Sequence, residues 1–224
     1  GSADVLEGLG LNLKAPLISV VDAISTTGVT FLFAPAWHPA LVNLAPLRRS
    51  LGVRTVFNLL GPLVNPLQPQ AQVLGVARAD LLDPMAIALD QLGLDRAVVV
   101  HGAGGLDEAS LAGANELRMV EAGQPIATRL VSPDDLGLAA APLEALRGGD
   151  LADNQRILEN VLKGQATVAQ MDVVAFNTAL VLWVAGVELD LKTAARRASD
   201  TLREGLPWQK LQGLQRVLSH EYGQ

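Results

Sequence analysis

The stretch VLGVARADLLDPMAIALDQLGLDRAVVV, residues 73–100, decides the fold of this chain. Its first residues, Val73 to Ala77, predict a strand. Apolar side chains then recur at helical spacing from about Leu82 to Leu92, and the β-branched run Ala97 to Val100 predicts a second strand. Two strands joined by a helix within about 30 residues are typical of a βαβ unit, whose strands lie parallel. The stretch therefore indicates an α/β protein.

The residues on either side extend this architecture. Residues 15–27 carry apolar side chains three and four positions apart, which predicts an amphipathic helix, and Thr30 to Ala34 predict a short buried strand. Residues 116–131 alternate loosely and predict a β-hairpin, and the pattern is helical from about Leu143 onward. We therefore expect a central, mainly parallel sheet flanked by helices, in one domain over residues 1–224.

Composition excludes several classes of function. Half of the 224 residues are hydrophobic and 18% are charged, which fits a globular domain with a sizeable core. The net charge of -6 opposes general binding to nucleic acid, because such binding depends on lysine and arginine. The absence of cysteine excludes disulfides, thiolate metal sites and cysteine nucleophiles. No apolar run reaches the roughly 18 residues of a membrane span, so we expect a cytoplasmic protein without a membrane partner.

Two adjacent carboxylates, Asp107 and Glu108, follow the second predicted strand after a glycine-rich turn. Ligands of open parallel sheets bind beyond the carboxyl ends of the strands. Neighbouring side chains of an extended segment point to opposite sides, so this pair suits a metal ion shared with substrate phosphates better than an enclosed protein cage. From the residues alone, a solvated loop that caps the next element is the commoner explanation of such a pair. His101, just before the turn, is more typical of a packed or hydrogen-bonded residue than of a catalytic one.

A basic segment precedes the βαβ unit. A helix is predicted from Trp37 to Leu51, with Arg48 and Arg49 in its last turn. The planar guanidinium of arginine suits a carboxylate or a phosphate, but a cation at this end also stabilises the helix dipole. His38, at the helix start, is either a ligand or a capping residue. Residues 53–66 contain two proline turns and predict a shaped loop.

Five stretches of the chain together resemble the anthranilate phosphoribosyltransferase family. Their order and spacing match the family over nearly the whole chain, and the pattern RRxLGxRTxFNLLGPLxNP is highly specific. No P-loop, GxGxxG, HExxH or GxSxG motif competes with this interpretation. The stretches are GSADVLEGLG (1–10), FLFAPAWHPAL (31–41), PLRRSLGVRTVFNLLGPLVNP (46–66), VVVHGAGGLDE (98–108) and RGGD (147–150).

The resemblance implies a reaction and a cofactor. The family transfers the phosphoribosyl group of phosphoribosyl pyrophosphate to the amine of anthranilate, which gives N-(5-phosphoribosyl)anthranilate and pyrophosphate in tryptophan biosynthesis. Its fold is the one shared by nucleoside phosphorylases and these phosphoribosyltransferases. On this resemblance, Asp107 and Glu108 hold Mg²⁺ that accompanies the pyrophosphate group.

The resemblance also implies where the two substrates bind. It places Arg48 on the carboxylate of anthranilate and Ser2 in the phosphoribosyl pyrophosphate site. His38 and Pro62 would line the anthranilate channel. The family uses no obligatory covalent nucleophile, so no residue of this chain is assigned to one.

Some family features are not in this sequence. An amino-terminal helical domain, a GTGGD phosphate loop and a KHGNR segment are expected before Gly1, and Trp37 stands where a histidine or a tyrosine is common. We expect residues 35–52 to contact that helical domain, the full-length protein to be a homodimer, and the 224-residue chain alone to be inactive.

Two other functions remain open at this point, as does the possibility that the chain is only an assembly module that functions when it is complemented by its missing half. A pyrimidine nucleoside phosphorylase of the same fold should lack the RRxLGxRTxFNLLGPLxNP pattern and should need no magnesium. A noncatalytic relative that binds nucleic acid is opposed by the acidic composition and by the intact acidic pair.

Overall fold

The computed structural model of the chain describes residues 1–37 and 61–219. These residues fall into two compact units, one comprising 1–37, 61–66, 148–163 and 205–219, and the other 67–147 and 164–204. The helices are α1 (Ser2–Gly8), α2 (Leu17–Thr27), α3 (Ala34–Trp37), α4 (Leu82–Gln91), α5 (Leu151–Leu162), α6 (Val168–Val184), α7 (Leu191–Arg203) and α8 (Leu206–Ser219). The strands are β1 (Ala71–Gly75), β2 (Arg96–His101), β3 (Asn115–Glu121) and β4 (Ala127–Val131).

The first unit is helical in its described residues. Helix α8 packs on α2 and α5, and α1 packs on α5. The apolar faces of α2 and α8 bury a shared core, as their helical spacing requires. Helix α2 confirms the predicted amphipathic helix, and it ends at Gly28, whose left-handed backbone (φ 80°) closes the last turn. The core residues are Leu11, Ala15, Val20, Ala23, Leu214 and Leu218.

The predicted strand at Thr30 to Ala34 is wrong. Residues 30–33 have no regular structure, and α3 begins at Ala34. The side chains of Phe31 and Leu32 pack instead against the helical core of the first unit, and the Thr30 hydroxyl donates to the Val20 carbonyl at 2.6 Å. A short apolar run shows that a segment is buried, but it does not show whether a neighbouring strand is there to pair with it.

The second unit is built on a four-stranded sheet in the order β1, β2, β3, β4. Strands β1 and β2 are parallel, with Val73 opposite Val98, and α4 connects them, which confirms the βαβ unit. Strands β3 and β4 are antiparallel, which confirms the hairpin. The prediction of a mainly parallel sheet is wrong for these four strands. The pairing of β2 with β3 is antiparallel, so only one of the three strand pairs is parallel. A parallel partner needs a crossover connection, usually a helix, and residues 102–114 between β2 and β3 contain none.

Both faces of this sheet are covered by helices. Val98 and Val100 of β2 face a core that contains Phe176 and Leu180 of α6. Because side chains of a strand alternate between faces, Val99 points to the other side, where α4 contacts β2 and β3. The α/β class with a sheet flanked by helices is therefore confirmed. That residues 1–224 form one domain stays a prediction. Within the described ranges, no helix is long and apolar enough to cross a membrane.

A capping box fixes the start of α6, the longest described helix. The Thr167 hydroxyl accepts a hydrogen bond from the Gln170 amide at 3.3 Å, and the Gln170 side chain accepts one from the Thr167 amide at 3.2 Å. The two bonds satisfy amide groups that have no partner within the helix.

We predict that Thr167→Ala lowers the free energy of unfolding by about 1 kcal/mol, because it removes this cap. Thermal denaturation should show a midpoint lower by about 2 to 4 °C for a chain of this size. Val168→Ala, at the neighbouring exposed position, is the control and should change the midpoint little. Equal midpoints for Thr167→Ala and the unmodified chain would contradict the role of the cap.

Candidate functional site

The acidic pair lies on the turn that follows β2, pressed against the ends of the two parallel strands. Gly75, the last residue of β1, lies so close to the turn that a Cβ atom there would come within 1.4 Å of the Asp107 carbonyl oxygen. A Cβ on Gly102 would come within 2.0 Å of the Glu108 carbonyl oxygen. The Gly102 amide also donates to the Leu106 carbonyl at 2.9 Å. Glycine at both positions therefore allows the turn to dock directly on the backbone at the carboxyl edge of the strands.

Asn115, the first residue of β3, holds the turn from within. Its Oδ1 accepts hydrogen bonds from the Ala103 amide (3.2 Å) and the Ser110 amide (2.7 Å). Its Nδ2 donates to the carbonyls of Ser110 (3.0 Å), Gly113 (3.3 Å) and Val131 (3.0 Å). The side chain is fully buried, so both halves of the amide are satisfied by backbone groups of the turn and of β4.

Asn177, in the middle of α6, holds the turn on its other side. Its Oδ1 accepts from the Ala109 amide and its Nδ2 donates to the Ala109 carbonyl, both at 2.9 Å. The same Nδ2 donates to the Val173 carbonyl in its own helix at 2.9 Å. The residue directly after Glu108 is thus hydrogen-bonded through both of its backbone groups.

His101 has a structural role here. Its Nδ1 lies 2.8 Å from the Val76 carbonyl oxygen, and the ring is partly buried. This contact connects the end of β2 to the residue after β1. The interpretation of His101 as a hydrogen-bonded residue is confirmed.

The pair concentrates negative charge at this edge. Asp107 and Glu108 are both exposed residues. The carboxyl group of Glu108 is nevertheless partly shielded from water, which raises its pKa, and repulsion from Asp107 raises it further. A bound divalent cation would favour the charged form of both groups.

The donor set fits an ion that takes other ligands as well. In the part of the chain that the structure describes, no group of three or more histidine, aspartate or glutamate side chains lies together as a metal cage. Mg²⁺ is commonly held by one or two carboxylates together with substrate phosphates and water. Two exposed carboxylates on a turn that is hydrogen-bonded to Asn115 and Asn177 match that arrangement, and they do not match a closed structural site.

The other predicted site residues belong to the first unit or lie outside the described residues. Ser2 is exposed in the first turn of α1, in the first unit. Pro62 is exposed within the short helical turn Gly61–Leu63. Arg48 and His38 lie outside the described residues, as do most of the 35–52 segment and the RRxLGxRTxFNLLGPLxNP stretch.

The sequence patterns do not predict the roles of Asn115, Asn177 and Gly75. Two of them carry a signal that is visible in retrospect. Asparagine is depleted in strands, yet Asn115 opens a strand of buried residues. Asn177 stands in an otherwise largely apolar helix, where a polar side chain needs a partner. Neither pattern predicts which backbone groups the asparagine side chain binds.

The chain is similar to proteins of known identity. A family model described as the glycosyl transferase family, a/b domain, matches residues 1–207. An anthranilate phosphoribosyltransferase of Synechococcus sp. (strain CC9902) is 94% identical over 224 residues, which is all of this chain and 64% of the relative. The chain spans less than two thirds of the length of the curated relatives that it matches, 64% for this one.

Solved structures agree with these sequence matches. Anthranilate phosphoribosyltransferase from Thermus thermophilus has a TM-score of 0.92 and 42% identity, over 98% of this chain and 65% of that one. The Saccharomyces cerevisiae enzyme, in a complex with PRPP and Mg, has a TM-score of 0.87 and 26% identity, over 98% of this chain and 63% of that one. The same yeast enzyme has been solved with 4-fluoroanthranilate.

We predict that Gly75→Ala destabilises the second unit by about 1 to 3 kcal/mol, because the added methyl group displaces the backbone at Asp107. Denaturant unfolding measures this change. Gly113→Ala, on the same turn, is the control, because its Cβ would lie 3.4 Å from the Ala103 Cβ. A smaller loss for Gly75→Ala than for Gly113→Ala would contradict the close approach.

We predict that Glu108→Gln stabilises the metal-free protein near neutral pH. A raised pKa in the folded state means that the free energy of unfolding falls as pH rises from the unfolded-state pKa through the folded-state pKa. Glutamine does not ionise, so the variant keeps this free energy of unfolding. Its extra stability over the unmodified protein should be largest above the folded-state pKa of Glu108 and absent below the unfolded-state pKa. Unfolding in a chelating buffer over a pH series measures the difference, with the exposed Glu144→Gln as control. An advantage that persists in acid would contradict the assignment.

Proposed function

Because this chain belongs to the glycosyl transferase family whose a/b domain matches residues 1–207, we propose that its protein is an anthranilate phosphoribosyltransferase. The reaction joins the amine of anthranilate to the anomeric carbon of phosphoribosyl pyrophosphate and releases pyrophosphate, a step of tryptophan biosynthesis. The 94% identity to a curated enzyme of that name supports the proposal. So do the yeast structures that contain PRPP with Mg and 4-fluoroanthranilate.

The observation that carries this function is the exposed acidic pair on a fixed turn. Parallel strands present their carboxyl ends at one edge of a sheet, where ligands of α/β proteins collect. Gly75 and Gly102 allow the Asp107–Glu108 backbone to lie directly on that edge. Asp107 and Glu108 would hold Mg²⁺ there. When bound, the ion supplies charge that neutralises the leaving pyrophosphate.

The remaining chemistry is positioning of the two substrates. During the reaction, positive character grows on the ribose and negative charge grows on the departing pyrophosphate. We propose that Arg48 presents its guanidinium to the carboxylate of anthranilate, which orients the weakly nucleophilic amine toward the anomeric carbon. Ser2 is proposed to contact phosphoribosyl pyrophosphate, and His38 and Pro62 to line the anthranilate channel.

No covalent intermediate with the protein is needed, because the amine displaces pyrophosphate directly. The two alternative functions find no support in the relatives named above, which are all anthranilate phosphoribosyltransferases. We further propose that the full-length protein is a cytoplasmic homodimer and does not bind nucleic acid.

We predict that Asp107→Asn, in a protein with the full length of the relatives, lowers turnover by about 100-fold or more, since a metal ligand contributes several kcal/mol of charge stabilisation. The loss of anthranilate fluorescence on addition of phosphoribosyl pyrophosphate and Mg²⁺ measures the rate. The same assay on the 224-residue chain alone tests the expectation that it is inactive.

Asp95→Asn is the matched control for this experiment. Asp95 is exposed and directly precedes β2, so it lies at the opposite end of the strand from the acidic pair. Its replacement should leave the rate nearly unchanged. Full activity of Asp107→Asn at limiting Mg²⁺ would exclude the acidic pair as the metal site, and an inactive full-length protein would exclude the reaction itself.

A further inference from the structure

We propose that Asn177 and Asn115 are positioning residues that set the direction of the Asp107 and Glu108 carboxylates and thereby the affinity of the site for a divalent cation. This inference rests on the proposed function of the pair. Neither asparagine is assigned to touch a substrate or the metal. Each acts through the backbone of the turn that carries the two carboxylates.

Asn177 controls the peptide groups next to Glu108. Its amide side chain pairs with both the N–H and the C=O of Ala109, as a neighbouring strand would do. Ala109 is fully buried, so water cannot replace either bond. The third bond, from Nδ2 to the Val173 carbonyl, holds the asparagine to its own helix. Helix α6 therefore fixes the orientation of the residue after Glu108.

Asn115 controls the two arms of the same turn. One oxygen atom receives the amides of Ala103 and Ser110, which stand before and after the acidic pair. The nitrogen atom reaches the Ser110 and Gly113 carbonyls, and also Val131 on the next strand. The turn is therefore closed around one buried amide, with the carboxylates exposed on its outside.

Asparagine suits both positions because one planar group supplies an acceptor and two donors. An aspartate at 177 keeps the acceptor for the Ala109 amide, but it places a second oxygen against the Ala109 carbonyl. An alanine leaves both backbone groups of Ala109 without a partner. Ligand-orienting residues around metal sites typically contribute about 10-fold to 100-fold in metal affinity, and we expect an effect of that size.

The first measurement needs no metal and no turnover. Hydrogen exchange of the metal-free full-length protein should show slow exchange at the Ala109 amide, and Asn177→Ala should make it faster. The second measurement is a titration with MnCl₂, in which electron paramagnetic resonance reports free Mn²⁺. Asn177→Ala and Asn177→Asp should each bind Mn²⁺ about 10-fold to 100-fold more weakly than the unmodified protein. Asn177→Asp decides the question if Asn177→Ala does not fold.

Val184→Ala is the control for a purely structural effect. Val184 is buried in the same helix and the same core, but it lies near Asp95 and Arg96 at the start of β2, away from the turn. This variant should lose stability and keep its Mn²⁺ affinity. Equal weakening by Val184→Ala and Asn177→Ala would overturn the positioning role.

Asp107→Asn separates this inference from the function on which it depends. If Asp107→Asn weakens Mn²⁺ binding and the Asn177 variants do not, the metal site stands and the positioning role is overturned. If Asp107→Asn also binds Mn²⁺ normally, the metal assignment itself is overturned, and the positioning role with it. Weak binding by Asp107→Asn and by both Asn177 variants, with normal binding by Val184→Ala, supports both.

Discussion

The backbone of Asp107 occupies the space that a side chain at the last residue of β1 would fill. At 1.4 Å from an added Cβ, the Asp107 carbonyl can take its place only because residue 75 is glycine. That approach draws the turn after β2 across the end of the neighbouring strand. It depends in turn on the parallel pairing of β1 and β2, which brings both carboxyl ends to one edge. The site is thus a consequence of the βαβ unit and not of the turn sequence alone.

The same docking explains why the turn needs two asparagines. A turn that lies on strand ends cannot form the backbone hydrogen bonds that neighbouring strands form with each other. Its inner backbone groups are also shielded from water. Unpaired groups of this kind cost about 1 to 3 kcal/mol each. The amides of Asn115 and Asn177 provide the missing partners from a strand and from a helix. The carboxylates are consequently left on the outer side, where solvent and ligands reach them.

Much of this fold follows from periodicity, and some of it does not. The βαβ unit, the hairpin and helix α2 are predicted correctly because their apolar spacing reports local geometry. Residues 30–33 are predicted wrongly because Phe31 and Leu32 report only burial, and they pack against the helical core of the first unit and not beside another strand. The sheet is mixed because the connection over residues 102–114 has no crossover helix and reverses the chain direction. The apolar pattern of the strands does not predict this reversal.

The acidic pair is visible in the sequence. Its supports are not, because Asn177 is 68 positions from Ala109.

Electrostatics connects the rigidity of the turn to its chemistry. A flexible turn would let the carboxylates gain water and move apart, which would reduce both causes of the raised pKa of Glu108, the loss of water and then the repulsion from Asp107. A turn that docks on Gly75 and is hydrogen-bonded to the side-chain amides of Asn115 and Asn177 does not relax in this way, so the two carboxylates stay close together until a cation binds. The free energy released when a cation neutralises the pair is then larger than it would be for two mobile carboxylates, since little reorganisation opposes binding. The hydrogen bonds that hold the turn backbone and the exposure of the Asp107 and Glu108 carboxylates therefore both favour binding of a cation.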